Sequence, residues 1–194
     1  MAVEIRQVGP EILPSYNEVP IRFHVTSVLR VEELRGGLGG LAMRELPLEQ
    51  PYVKDYDEYQ PEGAQRWAQR FDVSNWGFFV AMEGERRVGA AAVAFRSAKV
   101  RMLEGRDDLA VLWDLRVHPD RRRQGIGTML LRRAAEWARD QGCTQLKIET
   151  QNVNVPACRF YAARGCRLGA IDRCGYAGDP RVAHEAMLIW YLDL

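Results

Sequence analysis

Four stretches in succession constrain this chain most. Ala110 to Val117 is apolar, His118 to Gln124 is a polar loop, Gly125 to Gln141 is amphipathic, and Gln145 to Thr150 reads as a further strand. In the amphipathic stretch Ile126, Leu130, Ala134, Trp137 and Gln141 fall on one stripe of a helix, with Leu131, Ala135 and Ala138 beside it. Arg132, Arg133, Glu136, Arg139 and Asp140 face the other way, and Gly142 ends the helix. A strand, a helix and a strand in that order imply a parallel pair in one sheet.

The flanking segments extend the pattern. Val3 to Val8 alternates apolar and polar as a short strand. Trp76 to Met82 and Arg87 to Phe95 read as a hairpin about the turn Glu83-Gly84-Glu85. Asn154 suits a helix N-cap and Pro156 its first turn, the helix running to about Arg164 and ending at Gly165. Cys166 to Ile171 and Glu185 to Leu192 are the last two strands. The whole is an α/β fold with a mixed sheet and a parallel centre. Residues 9–63 hold six of the nine prolines and the run Gly36-Gly37-Leu38-Gly39-Gly40. There the sequence predicts a strand or helix near 20–34, a turn at 35–40, a strand near 41–46, an irregular segment over 51–63, and a short helix over Ala64 to Phe71.

Composition excludes several function classes. A length of 194 residues suits one domain, and 47% hydrophobic with 27% charged residues excludes a wholly disordered chain. Lys plus Arg is 27 against 26 Asp plus Glu, a net charge of +1, which argues against a strongly basic nucleic-acid binder. No apolar run approaches the length of a membrane span, and the opening MAVEIRQVGPEI has no secretory h-region. Cys143, Cys158, Cys166 and Cys174 lack CxxC spacing and His24, His118 and His184 are scattered, so no metal is expected. Free thiols fit a reducing, cytoplasmic setting.

The segment Arg121-Arg122-Arg123-Gln124-Gly125-Ile126-Gly127-Thr128 carries the chemistry. A helix start offers unsatisfied N–H groups and a partial positive charge. Glycines there let the backbone approach a ligand, the threonine adds a hydroxyl, and the arginines add donors suited to phosphate. A pyrophosphate site follows from that physics; a solvated basic turn is the bland alternative.

Leu115 to Gly127 resembles the acetyl-CoA-binding motif of the GNAT acetyltransferase superfamily, whose [Gln/Arg]-x-x-Gly-x-[Gly/Ala] core is met by Arg122, Gly125 and Gly127. A second signature, Asn-x-x-Ala-x-x-[Phe/Leu]-Tyr-x-x-x-Gly-Phe, is met by Asn154, Ala157, Phe160, Tyr161 and Gly165, with Cys166 in place of the last Phe. The stretch Glu149 to Tyr161 resembles the streptothricin acetyltransferases within that superfamily, as do Pro51 to Asp57, the strand Trp113-Asp114-Leu115, and Tyr176, His184-Glu185-Ala186 and Trp190-Tyr191. The resemblance implies about seven strands with a splayed parallel pair binding acetyl-CoA and helices on both faces. It implies a single domain over 1–194, with 1–75 as a variable acceptor-binding part and 76–194 as the acetyl-CoA core. Cofactor contacts would come from Leu115, Arg116, Val117, Arg122, Arg123, Gln124, Gly125, Ile126, Gly127, Thr128, Asn154, Ala157 and Tyr161. The implied partner is a small cationic amine, with no nucleic acid and no membrane, and dimerisation through C-terminal strands is common in the superfamily.

The implied reaction is attack of a primary amine on the thioester. An amine of pKa near 10.4 is about one part in 10³ neutral at pH 7, so a base helps. Asp114 is the first choice and Glu149 the second; the alternative for Asp114 is a structural carboxylate paired with Arg116. Tyr161 suits a general acid for the leaving thiolate, or else packs as an aromatic. Tyr52, Asp55, Tyr56 and Asp57 form an acidic, aromatic run suited to a cation, or a solvated loop. Tyr52, Asp55, Asp57 and Tyr176 are thus candidate acceptor contacts. The acceptor class stays open between a streptothricin-type antibiotic, an aminoglycoside, a polyamine and a protein amine, and a CoA-binding module without catalysis is the reading from another class.

Overall fold

The computed structural model describes residues 2–59 and 61–194. Nine strands are described: β1 (Val3–Val8), β2 (Phe23–Glu33), β3 (Leu41–Lys54), β4 (Gly77–Glu83), β5 (Arg86–Ala94), β6 (Leu109–Val117), β7 (Gln145–Gln151), β8 (Arg167–Asp172) and β9 (Met187–Asp193). The three α-helices are α1 (Gln65–Arg70), α2 (Ile126–Asp140) and α3 (Val155–Ala162). Seven strands make a mixed sheet in the order β1-β4-β5-β6-β7-β9-β8, and β2 and β3 make a two-stranded sheet of their own. The chain divides into two units, the first holding residues 1–23, 55–148 and 192–194, the second holding 24–54 and 149–191.

In the first unit β4 pairs antiparallel with β1 and β5, and β5 with β6, while β6 runs parallel to β7 over Leu109↔Gln145 to Leu112↔Ile148. Alternation along β4 sends neighbours to opposite faces. Phe79 packs edge-on against Trp137 of α2, with centroids 6.2 Å apart. Phe78 belongs to the core on the other side, with Leu13, Tyr16, Trp67 of α1, Trp76, Ala90 and Ala92. Helical segments therefore cover both faces of these strands. The stripe on α2 is buried from Ile126 to Ala138, as its period requires; Gln141 is exposed because it caps the helix end. Gly89 is needed under α2, since a Cβ there would lie 3.0 Å from Leu130 and 3.1 Å from the Arg116 carbonyl.

In the second unit the loop 34–40 joins β2 to β3, and β8 pairs antiparallel with β9. Asn154 caps α3 as its sequence position suggests, its Oδ1 accepting from Ala157 N at 3.2 Å. Trp190 Nε1 donates to Thr150 Oγ1 at 3.0 Å inside this unit.

One stretch departs from expectation, and for another the sequence predicts no element. β3 continues to Lys54, well past residue 46, so the irregular segment begins later, with a 3-10 turn over Tyr56–Tyr59. Pro10–Glu18 forms a nine-residue 3-10 helix in the stretch rich in prolines. Among the described residues no helix is long and apolar enough to cross a membrane, and no His/Cys/Asp/Glu group could hold a metal ion.

Candidate active site

The site is built on the last half of β6. Ala92 faces Asp114 while Val93 faces Leu112, so Trp113 is the extra residue of a bulge. Bulges re-aim side chains and break pairing near active sites. Beyond it Leu115, Arg116 and Val117 pair with Ala91, Ala90 and Gly89 of β5. Pairing with β7 ends at Leu112↔Ile148, so Trp113–Val117 has no ladder partner on its β7-side edge among the described residues. The backbone of Leu115 and Val117, the expected cofactor contacts on this strand, lies in that stretch.

From Val117 the chain passes through a 3-10 turn, Pro119–Arg121, into the glycine loop. Gly125 is the N-cap of α2 at φ 86°, and no side chain caps the helix. A Cβ at Gly125 would meet nothing within 4 Å. A 15-residue helix thus begins at Ile126 with no side-chain cap. This is the geometry an anion requires.

The loop's arginines divide their work. Arg122 Nε donates to the Val117 carbonyl at 3.0 Å, and its Nη2 to those of Ile21 and Arg22 at 3.3 and 2.7 Å. It clamps the start of the loop, and burial, then the nearby Arg22, lowers its pKa. Arg121 pairs with Glu83 at 3.0 Å. Arg123 is exposed and left-handed, with φ 61°. Gln124 donates to the Asp120 carbonyl at 3.3 Å.

Asp114 sits in a buried ion cluster. Arg116 reaches it two residues along the strand, Asp57 shares the same guanidinium at 3.1 Å, and Tyr16 donates its hydroxyl to Asp114 Oδ1 at 3.0 Å. Asp57 also accepts from Asn17 Nδ2 at 2.6 Å, and its own N–H donates to Asp55. Burial, then the charge of Asp114, holds the Tyr16 hydroxyl well above the ordinary phenol range, so it stays a donor. Burial opposes the charge of Arg116, yet Asp114, Tyr16 and Asp57 outweigh it and its pKa is raised. Burial raises Asp57 against the pull of Arg116. Both oxygens of Asp114 are thus engaged, which is the structural alternative for that residue. The structure brings Asp57 and Asp114 together through Arg116; Asp55 serves as the turn that holds Asp57.

In the second unit Tyr176 donates to Glu149 Oε1 at 2.7 Å, joining the second candidate base to a candidate acceptor contact. Tyr161 is buried on α3, its ring edge-on to Phe160 with centroids 5.2 Å apart. Asn154 and Ala157 make the cap of α3, and Tyr52 lies exposed on β3. Sequence reasoning missed Tyr16, 98 residues from its partner Asp114, and the ion pair of Lys54 with Glu185, 131 residues apart. It also missed Asn152, which exchanges hydrogen bonds with both Leu29 and Ala186 through backbone and side chain. For Lys54 and Glu185 the signal was present, since each falls in a segment resembling the streptothricin acetyltransferases.

The model of the Acetyltransferase (GNAT) family matches residues 41–166. The chain belongs to the GNAT family. Both of its GNAT motifs, from Arg122 and from Asn154, lie inside the match. The chain is 36% identical over 93 residues to streptothricin acetyltransferase A of Bacillus subtilis, 48% of this chain and 53% of that relative, so the match spans about half the relative's length. It is 29% identical over 148 residues to the streptothricin acetyltransferase of Streptomyces lavendulae, covering 76% of this chain and 74% of that one. The GNAT fold is shared with a Bacillus anthracis protein solved in complex with acetyl coenzyme A, at a TM-score of 0.77 and 22% identity over the full length of both chains.

Proposed function

We propose that this GNAT chain transfers the acetyl group of acetyl-CoA to a primary amine of a small cationic acceptor of the streptothricin type. The observation that carries the reading is the end of the β6–β7 ladder at Leu112↔Ile148, just before the loop that opens α2. An unpaired strand edge takes an extended chain of amides, and an uncapped helix start takes phosphate. Acetyl-CoA carries both, a pantetheine amide arm and a pyrophosphate. The Bacillus anthracis relative in fold, solved with acetyl coenzyme A, supports the donor, and the relatives named for streptothricin support the acceptor.

In this reading the amine nitrogen bonds to the acetyl carbon and the carbon–sulfur bond breaks. Glu149, oriented by Tyr176, takes the proton released by the amine. The N–H of Leu115 or Val117 donates to the carbonyl oxygen as it gains charge. Tyr161 returns a proton to the leaving thiolate. Asp114 serves as an anchor, since Arg116 and Tyr16 engage both its oxygens.

The test is thiol release from acetyl-CoA with streptothricin, kanamycin, cadaverine and a peptide amine as acceptors. Streptothricin is expected to be turned over with the highest kcat/KM. Release only with another amine overturns the acceptor. No release with any, alongside tight acetyl-CoA binding, leaves a CoA-binding module and overturns the reaction.

A further inference from the structure

The bulge on β6 turns two consecutive side chains to one side of the sheet. Strand alternation would send Trp113 and Asp114 to opposite faces. Instead Asp114 accepts from the Tyr16 hydroxyl at 3.0 Å, and Trp113 packs on Trp67, whose ring centroid lies 5.1 Å from that of Tyr16. A bulge re-aims a side chain in this way.

Trp113 thereby joins the rim of an aromatic cluster. Its ring centroid is 5.1 Å from that of Phe71, 5.3 Å from Trp76 and 6.4 Å from Trp67, at interplanar angles of 70°, 54° and 81°. None of the three lies flat on the indole. Of the five tryptophans, Trp67, Trp76, Trp137 and Trp190 are buried, while Trp113 is half-buried, as is Phe71. Along β6 the residues that are not fully buried are Trp113, Asp114 and Leu115, in the stretch where the β7 ladder has ended. The sheet opens at this point of a central strand.

Its position limits what this surface can serve. Trp113 precedes Leu115 by two residues, so their Cα atoms are at most about 7 Å apart. The Leu115 N–H is one of the two groups assigned above to the carbonyl oxygen. α2, whose start would take the pyrophosphate, covers the Phe79 side of the sheet, and the aromatic cluster packs with Phe78 on the other. With the donor's phosphates on one side, the amine has the other to come from.

Two uses of an indole compete there. Its π face attracts a cation, which would hold the amine as the unreactive ammonium. Its apolar surface packs an alkyl chain and excludes water, which favours the neutral amine that attacks. The second use serves the reaction and the first opposes it.

We propose that Trp113, with Phe71 beside it, is the surface on which the alkyl chain carrying the reacting amine packs, and that it selects acceptors by the length of that chain. The proposal rests on the acetyl-transfer reading and names how the part of the acceptor next to its amine is recognised.

The test is thiol release from acetyl-CoA by the full chain with propylamine, butylamine, pentylamine and streptothricin. Wild type is compared with Trp113→Phe and Trp113→Ala, each checked for folding by its melting temperature. In wild type each added methylene is expected to raise kcat/KM roughly two- to fourfold. Trp113→Ala should flatten that rise and increase KM for streptothricin about tenfold, with KM for acetyl-CoA unchanged and Trp113→Phe in between. A merely structural Trp113 would lower every amine by one factor and keep the rise, and that result overturns the proposal. So does a wild type without the rise, or a folded Trp113→Ala with wild-type KM for streptothricin. A second measurement needs no alanine variant. Acrylamide should quench a class of tryptophan emission that Trp113→Phe lacks, and saturating streptothricin should shield it; quenching that streptothricin leaves unchanged overturns the proposal. If wild type releases no CoA with any amine, the acetyl-transfer reading fails on that result alone. Trp113 is then decided by the quenching, where shielding by streptothricin or pentylamine sustains the surface and shielding by neither overturns it.

Discussion

Arg116 grips Asp114 with two parallel bonds, Nε to Oδ1 at 2.9 Å and Nη2 to Oδ2 at 2.7 Å. Residues two apart on a strand share a face, so the pair needs nothing beyond β6 to form. What is not local is the rest of the cluster: Asp57 arrives from 59 residues away and Tyr16 from 98.

Removing the cation should therefore be severe. The Arg116 side chain is 2% exposed and that of Asp114 is 9% exposed. Arg116→Met strands two carboxylates and is expected to cost about 3–5 kcal/mol, read from urea unfolding. Arg116→Lys should recover part of this, since it keeps the charge and loses the fork. A loss under about 1 kcal/mol for Arg116→Met would place the cluster among exposed pairs.

Gly125 separates strain from ligand contact. At φ 86°, Gly125→Ala should lose about 1–2 kcal/mol through its left-handed backbone. Nothing lies within 4 Å of the new methyl, so no clash is added. Acetyl-CoA should still raise its melting temperature, while Gly125→Asp, with similar strain and a carboxylate toward the phosphates, should lose that shift. Equal shifts in both variants would count against phosphate binding at this helix start.

Tyr161→Phe is expected to lower kcat by roughly 10–10³ with little change in KM for acetyl-CoA. Glu149→Gln should lower kcat with partial recovery at high pH, where more of the amine is already neutral. A pH–rate profile of each variant checks both, and an unchanged kcat at neutral pH removes the residue from the proton path.

Stability at low pH has a local source in Asp108. Hydrogen bonds from the Arg106 guanidinium, then from the Thr144 hydroxyl, hold its carboxyl down to about 2 from an ordinary 3.8. The folded state thus binds this proton less readily than the unfolded state. Its contribution is present above pH 3.8 and fades as pH falls toward 2. Asp108→Asn should be less stable than wild type at neutral pH, with the gap closing through that window. Urea midpoints between pH 7 and pH 2 measure it, and a gap that does not close contradicts the assignment.

The parts legible in sequence share a cause. The stripe of α2 records one face turned to the core and the unbroken apolar run of β4 records two covered faces, Trp137 and Phe79 meeting on one of them. Beyond residue 46, β3 leaves no such record. Most of its positions are at least partly exposed, because its sheet has two strands, so burial imposes no alternation, and Pro47 and Pro51 argue against a strand at all. The Pro10–Glu18 helix is invisible for a related reason, since a 3-10 helix lacks the 3.6-residue period. In the candidate site, Gly125 and the Asp114–Arg116 pair lie in runs short enough to read. The partners that fix Asp114 in place, Tyr16 and Asp57, meet it only through the fold.

The ion pair of Lys54 with Glu185 sets the order in which the second unit can be completed. Its two residues are 131 apart, and Asn152 meets Leu29 across 123. On a ribosome moving at roughly 5–20 residues per second, Lys54 leaves the peptidyl centre on the order of ten seconds before its anion is made. Until then β2 and β3 present Val28, Leu46 and Leu48 without the wall that Glu185 and Ala186 supply. Residues 24–54 thus wait as the early half of a unit that cannot close until residues 184–186 have been made.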